Sequence, residues 1–515
     1  MKLVEAFDRT VRCYPTETAL VTEDGRAFSY RELDERSTRL ANALERRVGS
    51  ARCAVLAHNG PPAITAMLAG NERGVATVQL SFRATTGELV EMAETASARA
   101  LLFDDGNVET ALELLDRGTF DAAIHAGDAT VEHDDVESYE AVLDAASPDR
   151  RDDHPIGDEC AVLYTSGTTS TPKAVPFDQE QLWYGAIQGV MEQGIDETDV
   201  ALCTTPWYHM VTTDAWLYPH FVAGATVVLQ RSFDPRGALE LVEERDVTGL
   251  LAVPTQLRRL NAVQAEEGYD TSSLSYVRTG GSPLTKRLVE ETAERLGERI
   301  YNTYGMTEGG PNLSYAHPEV QRERPGTIGK EAFSYELRVV EPAPLSENPD
   351  PEATVDAGER GEILARGPGM STGYIDNPEA EAKTYFDGWL RTRDVAEVDE
   401  DGFLYVVDRV DNMILSGGEN VYPAEVERAL ESHPDVREAC VFGTPDDEWD
   451  NVVTAVVVTD ADLTADDLSQ FCLDHDGLAN FKRPREYVVT SDSLPRTETG
   501  KIVRGELADR YFPEG

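Results

Sequence analysis

Residues 161–175 read AVLYTSGTTSTPKAV, and the reading of this stretch orders the rest of the chain. It opens as a short apolar strand, breaks into a run of Ser, Gly and Thr, and delivers Lys173 behind Pro172. The hydroxyls of Ser166, Thr168, Thr169, Ser170 and Thr171, with the backbone N–H groups around Gly167, are donors suited to phosphoryl oxygens, and the lysine adds a point charge. The spacing is not that of the usual P-loop, G-x-x-x-x-G-K-[ST], in which the lysine opens a helix. A plain Ser/Thr-rich surface turn would have the same composition. What favours a phosphate site is the company the stretch keeps further along the chain.

Composition bounds that site's partners. Ninety-five acidic residues against 46 basic ones give a net charge of −49 over 515 residues. Such a surface repels nucleic acid and anionic membranes. With no signal peptide and no apolar run of membrane-spanning length, the expectation is a cytoplasmic protein that acts on small molecules, its oligomeric state left open by the sequence. The acid is spread along the chain, and lysine is scarce, at seven residues. That is the pattern of a surface adapted to high salt, where the Debye length falls to about 3 Å at 1 M; an ordinary acidic protein is the alternative. Six cysteines without a C-x-x-C pair argue against a zinc site or a disulfide framework, leaving buried free thiols as the default.

Hydrophobic periodicity supplies the fold class. A helix is expected over 30–48, with Leu33, Leu40, Ala41 and Leu44 on its apolar face, followed by a strand over 53–58, a helix over 62–73 and a strand over 75–80. Asp178 is placed to cap a helix over 181–191. From 225 to 303 strands and helices alternate, which implies parallel strands with right-handed crossovers and ligands at the strands' carboxyl ends. Residues 311–410 change to alternating strands, as in an antiparallel subdomain, interrupted by an acidic, Pro-containing loop over 341–356. The last hundred residues read as a small α+β domain. The expected architecture is α/β: a large N-terminal domain, 1–409, of layered α/β sheets plus a β subdomain, and a small mobile α+β C-terminal domain, 410–515.

The phosphate loop resembles that of the adenylate-forming superfamily of acyl- and aryl-CoA synthetases, peptide-synthetase adenylation domains and luciferases, which reads YTSGTTGxPKG; Ser170 and Ala174 stand where glycines are usual. The resemblance continues in order along nearly the whole chain. Gly280-Gly281-Ser282-Pro283-Leu284 looks like GGAPL, and Tyr304-Gly305-Met306-Thr307-Glu308 is similar to YGxTE. Residues 361–374 resemble GEL…RGP…GY, and 389–394 match W-x-x-T-G-D with Arg393 at the glycine. Residues 408–412 resemble the hinge motif G-R-x-[KD]-D, with Asp408 and Asn412 altered.

The resemblance implies roles, residue by residue. Thr165, Ser166, Gly167, Thr168, Thr169 and Lys173 would hold the phosphates of ATP, and Gly281, Ser282, Asn302, Tyr304, Gly305, Asp394 and Arg409 the rest of the nucleotide. Thr307 would bond the α-phosphate and Glu308 ligate Mg²⁺, which suits a hard oxygen ligand. Trp207, His209 and Gly280 would line the acid pocket, with His209 on its carboxylate side; a lone histidine is more often simply packed. Lys501 would neutralise charge in adenylation, and Asp411 would be the pivot about which the small domain swings. Arg83, Gly417, Gly418, Trp449, Phe481 and Arg483 would receive CoA, a set nearest to aryl-CoA ligases. The implied reaction joins a small-molecule carboxylic acid, fatty or aromatic, to coenzyme A through an acyl-adenylate, with ATP and Mg²⁺. Two other readings stay open: an adenylation enzyme that loads a carrier protein, and an ATP-binding relative weakened by its departures at Ser170, Arg393, Asp408 and Asn412.

Overall fold

Alternating apolar strands and amphipathic helices build two sheets in the first part of the chain. In this computed structural model, residues 2–512 are described apart from 74, 119, 150–158, 166–171, 283, 417–418, 447–448, 476 and 497–501. The chain divides into two compact units, Met1–Leu337 with Ala365–Arg391, and Arg338–Leu364 with Thr392–Gly515.

The first unit holds a seven-stranded and a nine-stranded sheet. In the seven-stranded sheet Arg52–Leu56 pairs in parallel with Thr77–Gln79 and Ala98–Asp104, and Thr77–Gln79 with Glu159–Thr165. Lys173–Asp178 closes the edge antiparallel to Glu159–Thr165, with Thr165 opposite Lys173. The nine-stranded sheet is parallel through Thr226–Leu229, Val200–Cys203, Gly249–Leu251, Tyr276–Gly280 and Ile300–Tyr304, and turns antiparallel at Ser314–Ala316. The largest apolar core joins side chains of both sheets, among them Val55, Leu102, Val227 and Leu251, to the helices Tyr30–Val48 and Pro61–Arg73. Tyr30–Val48 matches the expected helix because its ends are encoded locally. Ser29 accepts from the Glu32 N–H in a capping box, and Gly49, with φ of 63°, ends it.

The strands that position the site end on glycine or tyrosine. Tyr276–Gly280 runs into Gly281 with φ of 79°, a left-handed turn that glycine adopts without a Cβ clash. A Cβ at Gly280 would fall 2.4 Å from the Thr303 carbonyl oxygen, so glycine lets the two strands close at their carboxyl ends. Five of the six cysteines are buried free thiols, as expected, and Cys13 is exposed. No helix among the described residues is long and apolar enough to cross a membrane.

In the second unit, Leu404–Arg409 pairs antiparallel with residues 394–398, placing Arg409 opposite Asp394. Further on, Glu438–Asp446 and Asp450–Val458 form an antiparallel pair with Glu486–Thr490 added in parallel, packed on helices Pro423–Glu431 and Ala465–Asp474. The expected boundary at 409/410 lies inside this unit, because contacts run across it. Val395, Val407, Val410 and Tyr422 share one apolar cluster. Asp408 accepts from the N–H of Ala424, at the start of the Pro423–Glu431 helix, at 2.7 Å.

Candidate active site

In the first unit the site gathers at the carboxyl ends of the parallel strands and on the neighbouring hairpin. Thr165 and Lys173 face each other across the antiparallel pair of Glu159–Thr165 and Lys173–Asp178. Ser166, Gly167, Thr168 and Thr169 lie outside the described residues. The Lys173 ammonium sits 5.1 Å from the centroid of the Tyr374 ring, within cation–π range. The Tyr374 hydroxyl donates to Oε1 of Glu308 at 2.8 Å. One tyrosine therefore meets the loop lysine with its face and the acid with its hydroxyl.

Glu308 lies in a single 3-10 turn, Thr307–Gly309, and is buried with 6 % exposure. Its carbonyl accepts from the N–H of Ser371 at 3.0 Å and from the Tyr385 hydroxyl at 3.3 Å. The segment that supplies Ser371 and Tyr374 is stitched to the hairpin, with Ser371 Oγ donating to the Pro176 carbonyl at 2.9 Å and the Ile375 N–H to that of Ala174 at 3.0 Å. Tyr374 stands in the GY of a motif, and nothing local in the sequence shows that it spans from residue 173 to residue 308.

The other expected nucleotide residues sit close by in the chain. Asn302 is buried, its amide donating to the Thr327 carbonyl at 2.8 Å. The Tyr304 carbonyl accepts from the Leu313 N–H at 2.8 Å, and a Cβ at Gly305 would lie 2.4 Å from the Pro311 carbonyl oxygen, so the turn bearing Thr307 is closed at its base. Gly281 and Ser282 are exposed.

His209, expected on the acid side, precedes the short helix Met210–Thr212, and its carbonyl accepts from the N–H groups of Thr212 and Thr213. Burial, with the charge of Arg83 added, lowers its imidazole pKa to about 4, so the ring is neutral at physiological pH. Arg83 is exposed, its guanidinium 5.7 Å from the Phe82 ring centroid. Phe82 in turn meets Tyr208 edge-on at 5.3 Å, and Tyr208 neighbours His209 at 4.5 Å. Trp207 is a core residue, fully buried, with its indole N–H on the Ala57 carbonyl at 2.8 Å.

The second unit holds a separate group of charges. Arg409 donates to Asp394 Oδ1 at 3.1 Å and to Asp411 Oδ2 at 3.2 Å, and Arg393 reaches Asp411 Oδ1 at 3.5 Å. Arg393 holds φ of 61°, the left-handed conformation that explains why glycine is usual in the motif there. The two residues that depart from the 408–412 motif partner each other, Asn412 Nδ2 donating to Asp408 Oδ1 at 2.9 Å. Among the expected CoA residues, Phe481 is 43 % exposed, whereas Arg483 turns inward to Ser469 Oγ at 2.5 Å. Arg485, which stands in none of the motifs, lies 4.2 Å from the Trp449 ring centroid. Gly417, Gly418 and Lys501 lie outside the described residues.

Comparison with known proteins then decides the family. The model of the AMP-binding enzyme family matches residues 7–375, and that of the AMP-binding enzyme C-terminal domain matches residues 425–501. The chain belongs to the AMP-binding enzyme family. Within this family it is 34 % identical over 508 residues to a feruloyl-CoA synthase of Amycolatopsis, covering 98 % of each chain. It is 33 % identical to the indoleacetate–CoA ligase of Aromatoleum aromaticum, covering 100 % of each. Among solved structures, the o-succinylbenzoate CoA synthetase of Bacillus subtilis bound to its acyl-adenylate intermediate superposes with a TM-score of 0.83 at 29 % identity, over 98 % of each chain. ATP-bound MatB from Rhodopseudomonas palustris does so with a TM-score of 0.87 at 26 % identity, over 99 % of each. This AMP-binding enzyme is thus one of the adenylate-forming acyl- and aryl-CoA ligases, with the large N-terminal and small C-terminal parts of that fold.

Proposed function

We propose that the protein activates an aromatic carboxylic acid with ATP and transfers it to coenzyme A, releasing AMP and pyrophosphate. The observation that carries this reading is the convergence of Lys173 and Glu308 on Tyr374, beside the closed strand ends at Gly280 and Tyr304. An attacking carboxylate and a triphosphate are both anionic, so the site must place positive charge and donors where negative charge gathers in the transition state. Lys173 and the loop hydroxyls take that task on the phosphates, and Thr307 takes it at the α-phosphorus. Glu308 keeps its second oxygen for a cation. No group of three or more acidic, His or Cys side chains that could hold a metal occurs among the described residues. That fits Mg²⁺, which uses one or two carboxylates and fills its octahedron with phosphate oxygens and water. When bound, Mg²⁺ would polarise the phosphoryl oxygens.

In the first half-reaction a carboxylate oxygen bonds to the α-phosphorus and the bond to pyrophosphate breaks, with Lys501 stabilising the charge. In the second, the CoA thiolate attacks the acyl carbonyl and AMP leaves. The second half-reaction uses a swing about Asp411 that exchanges Lys501 for the Gly417-Gly418 segment, with Arg83, Trp449, Phe481 and Arg483 receiving CoA. Asp394, opposite Arg409, is suited to accept from the ribose hydroxyls.

The aromatic class is favoured by the curated relatives, whose acids carry rings, and by the Phe82–Tyr208–His209 run of rings. A fatty acid is the second class to test. The net charge of −49 supports a cytoplasm of high salt. A panel of aryl and alkyl acids, scored for CoA-dependent AMP release in 0.2 M and 3 M KCl (~ values spanning the screening range), tests acid, acceptor and salt together. AMP release that never requires CoA would defeat the ligase reading, and turnover of alkyl acids alone would defeat the aromatic one.

A further inference from the structure

Two residues before Gly280, strand Tyr276–Gly280 carries an arginine into the core. Arg278 is 0 % exposed. Its Nη2 donates to Asn312 Oδ1 at 2.6 Å and to Thr303 Oγ1 at 3.3 Å, and its Nη1 donates to the Ala215 carbonyl. Thr303 is the residue before Tyr304, and Asn312 the residue after Pro311. These two flank the segment bearing Thr307 and Glu308, so one guanidinium grips both ends of that turn. The third bond reaches the π-helical turn Thr213–Leu217, which continues from the segment of His209.

The arrangement is not one that stability alone would keep. Asp214, the acid whose charge bears on Arg278, is fully buried, and neither carboxylate oxygen has a hydrogen-bond partner among the described residues. A Cβ at Gly185 would fall 2.3 Å from Asp214 Oδ2, so the acid needs a glycine opposite. Burial pushes the Asp214 carboxyl well up and outweighs the opposing charge of Arg278. Taking a guanidinium out of water is costly, and a buried charge is often no more stabilising than well-packed apolar side chains of the same volume. What an apolar replacement could not do is donate to three separate segments at once.

We propose that Arg278 is a positioning residue for adenylation, holding the base of the 304–311 turn so that Thr307 and Glu308 stay in register with Tyr374 and Lys173. This rests on the reading of Glu308 as the Mg²⁺ ligand. Asn312 passes the constraint on, its Nδ2 donating to the Tyr315 hydroxyl at 2.7 Å. Displacing such a turn by about 1 Å costs on the order of 100-fold in rate.

The test uses the full chain and the best acid of the panel above. Arg278→Met should lower kcat for AMP formation about 10- to 100-fold, leave KM for the acid within about threefold, and raise the Mg²⁺ concentration needed for half-maximal rate. Arg278→Lys should recover part of the loss. Should Arg278→Met fail to fold, the Asn312 pair decides: Asn312→Asp keeps the acceptor and should retain most of the rate, whereas Asn312→Leu should lose it, at matched Tm. A folded Arg278→Met with wild-type kcat and Mg²⁺ dependence, or Asn312 variants whose rates follow Tm alone, would overturn the proposal. Glu308→Gln is the separate check on the reading beneath it. If that variant kept full activity and Mg²⁺ response, the metal assignment would fail whatever Arg278 did.

Discussion

The turn around Glu308 in the first unit and the group around Asp411 in the second both hold a carboxylate in place, by opposite means. Glu308 is buried and held by neutral partners, the Tyr374 hydroxyl on its side chain and the Ser371 N–H and Tyr385 hydroxyl on its carbonyl. Asp394 and Asp411 are held by guanidinium groups, Arg409 and Arg393, at 3.1 to 3.5 Å. Neutral hydrogen bonds in a dry setting are insensitive to salt, whereas partly exposed ion pairs are screened by it. The first arrangement is fit for fixed geometry and the second for contacts that are made and broken.

The largest effect that would break this contrast is expected at Lys501. Lys501→Ala should depress adenylation about 10²- to 10³-fold, as loss of one preorganised donor does, while thioester formation from supplied acyl-adenylate survives. Pyrophosphate exchange and thioester formation, measured separately, check it; equal loss of both would mean that one fixed site performs both steps.

Next comes Asp394→Ala, which would remove the proposed ribose acceptor and one of the two carboxylates that Arg409 contacts. ATP KM should rise about 10- to 100-fold, the scale of a charge-assisted hydrogen bond. The wild-type KM should also rise with KCl more steeply than the Mg²⁺ requirement proposed for Glu308. Parallel salt dependence would erase the distinction between the two regions.

Glu427 sharpens it further, because here the second unit does bury an acid. Arg504 contacts both its oxygens, at 2.7 and 2.9 Å, yet burial pushes its pKa up to about 7. A carboxyl raised in the folded state favours folding below its unfolded value, near 4.5, and that contribution is lost as pH rises from there to about 7. The wild type should therefore lose on the order of 3 kcal/mol relative to Glu427→Gln across that window. Urea unfolding of both proteins at pH 4.5 and pH 7.5 (~ the two ends of the window) reads the difference, and parallel pH profiles would count against it.

The smallest effects are at Arg393 and Arg83. Arg393→Gly removes left-handed strain of about 1 kcal/mol but also one arm on Asp411, so net stability should change by less than about 1 kcal/mol. Amide exchange at 410–424 should quicken all the same, and unchanged exchange would show that Arg393 does not restrain the hinge. Arg83→Gln should raise the His209 pKa, followed by NMR, because a positive charge that disfavours imidazolium is gone. No upward movement would leave burial as the sole cause.

Where signals are local, the sequence was sufficient. The helix Tyr30–Val48 is written in its Ser29–Glu32 capping box and Gly49 stop, and the helix Gln179–Gln193 in Asp178, which accepts from the N–H groups of Glu180 and Gln181. Parallel sheets followed from strand and helix alternation. The glycine-rich strand ends and the order of motifs were enough to place the chain among adenylate-forming ligases. Strand limits moved by a residue or two, as at Arg52–Leu56 against an expected 53–58, because pairing partners rather than propensity set them.

What tertiary structure alone decided is which side chains meet. Tyr374 bridging Lys173 and Glu308, Arg278 clamping Thr303 and Asn312, Asn412 answering Asp408, and the continuity of packing across 409/410 all join residues whose neighbours in sequence give no sign of the contact. Motif spacing reports what a segment can do, since capping, turns and periodicity are set within a few residues. Burial and partnership depend on how distant segments pack, and they determine whether a given acid or guanidinium is neutral, paired or poised.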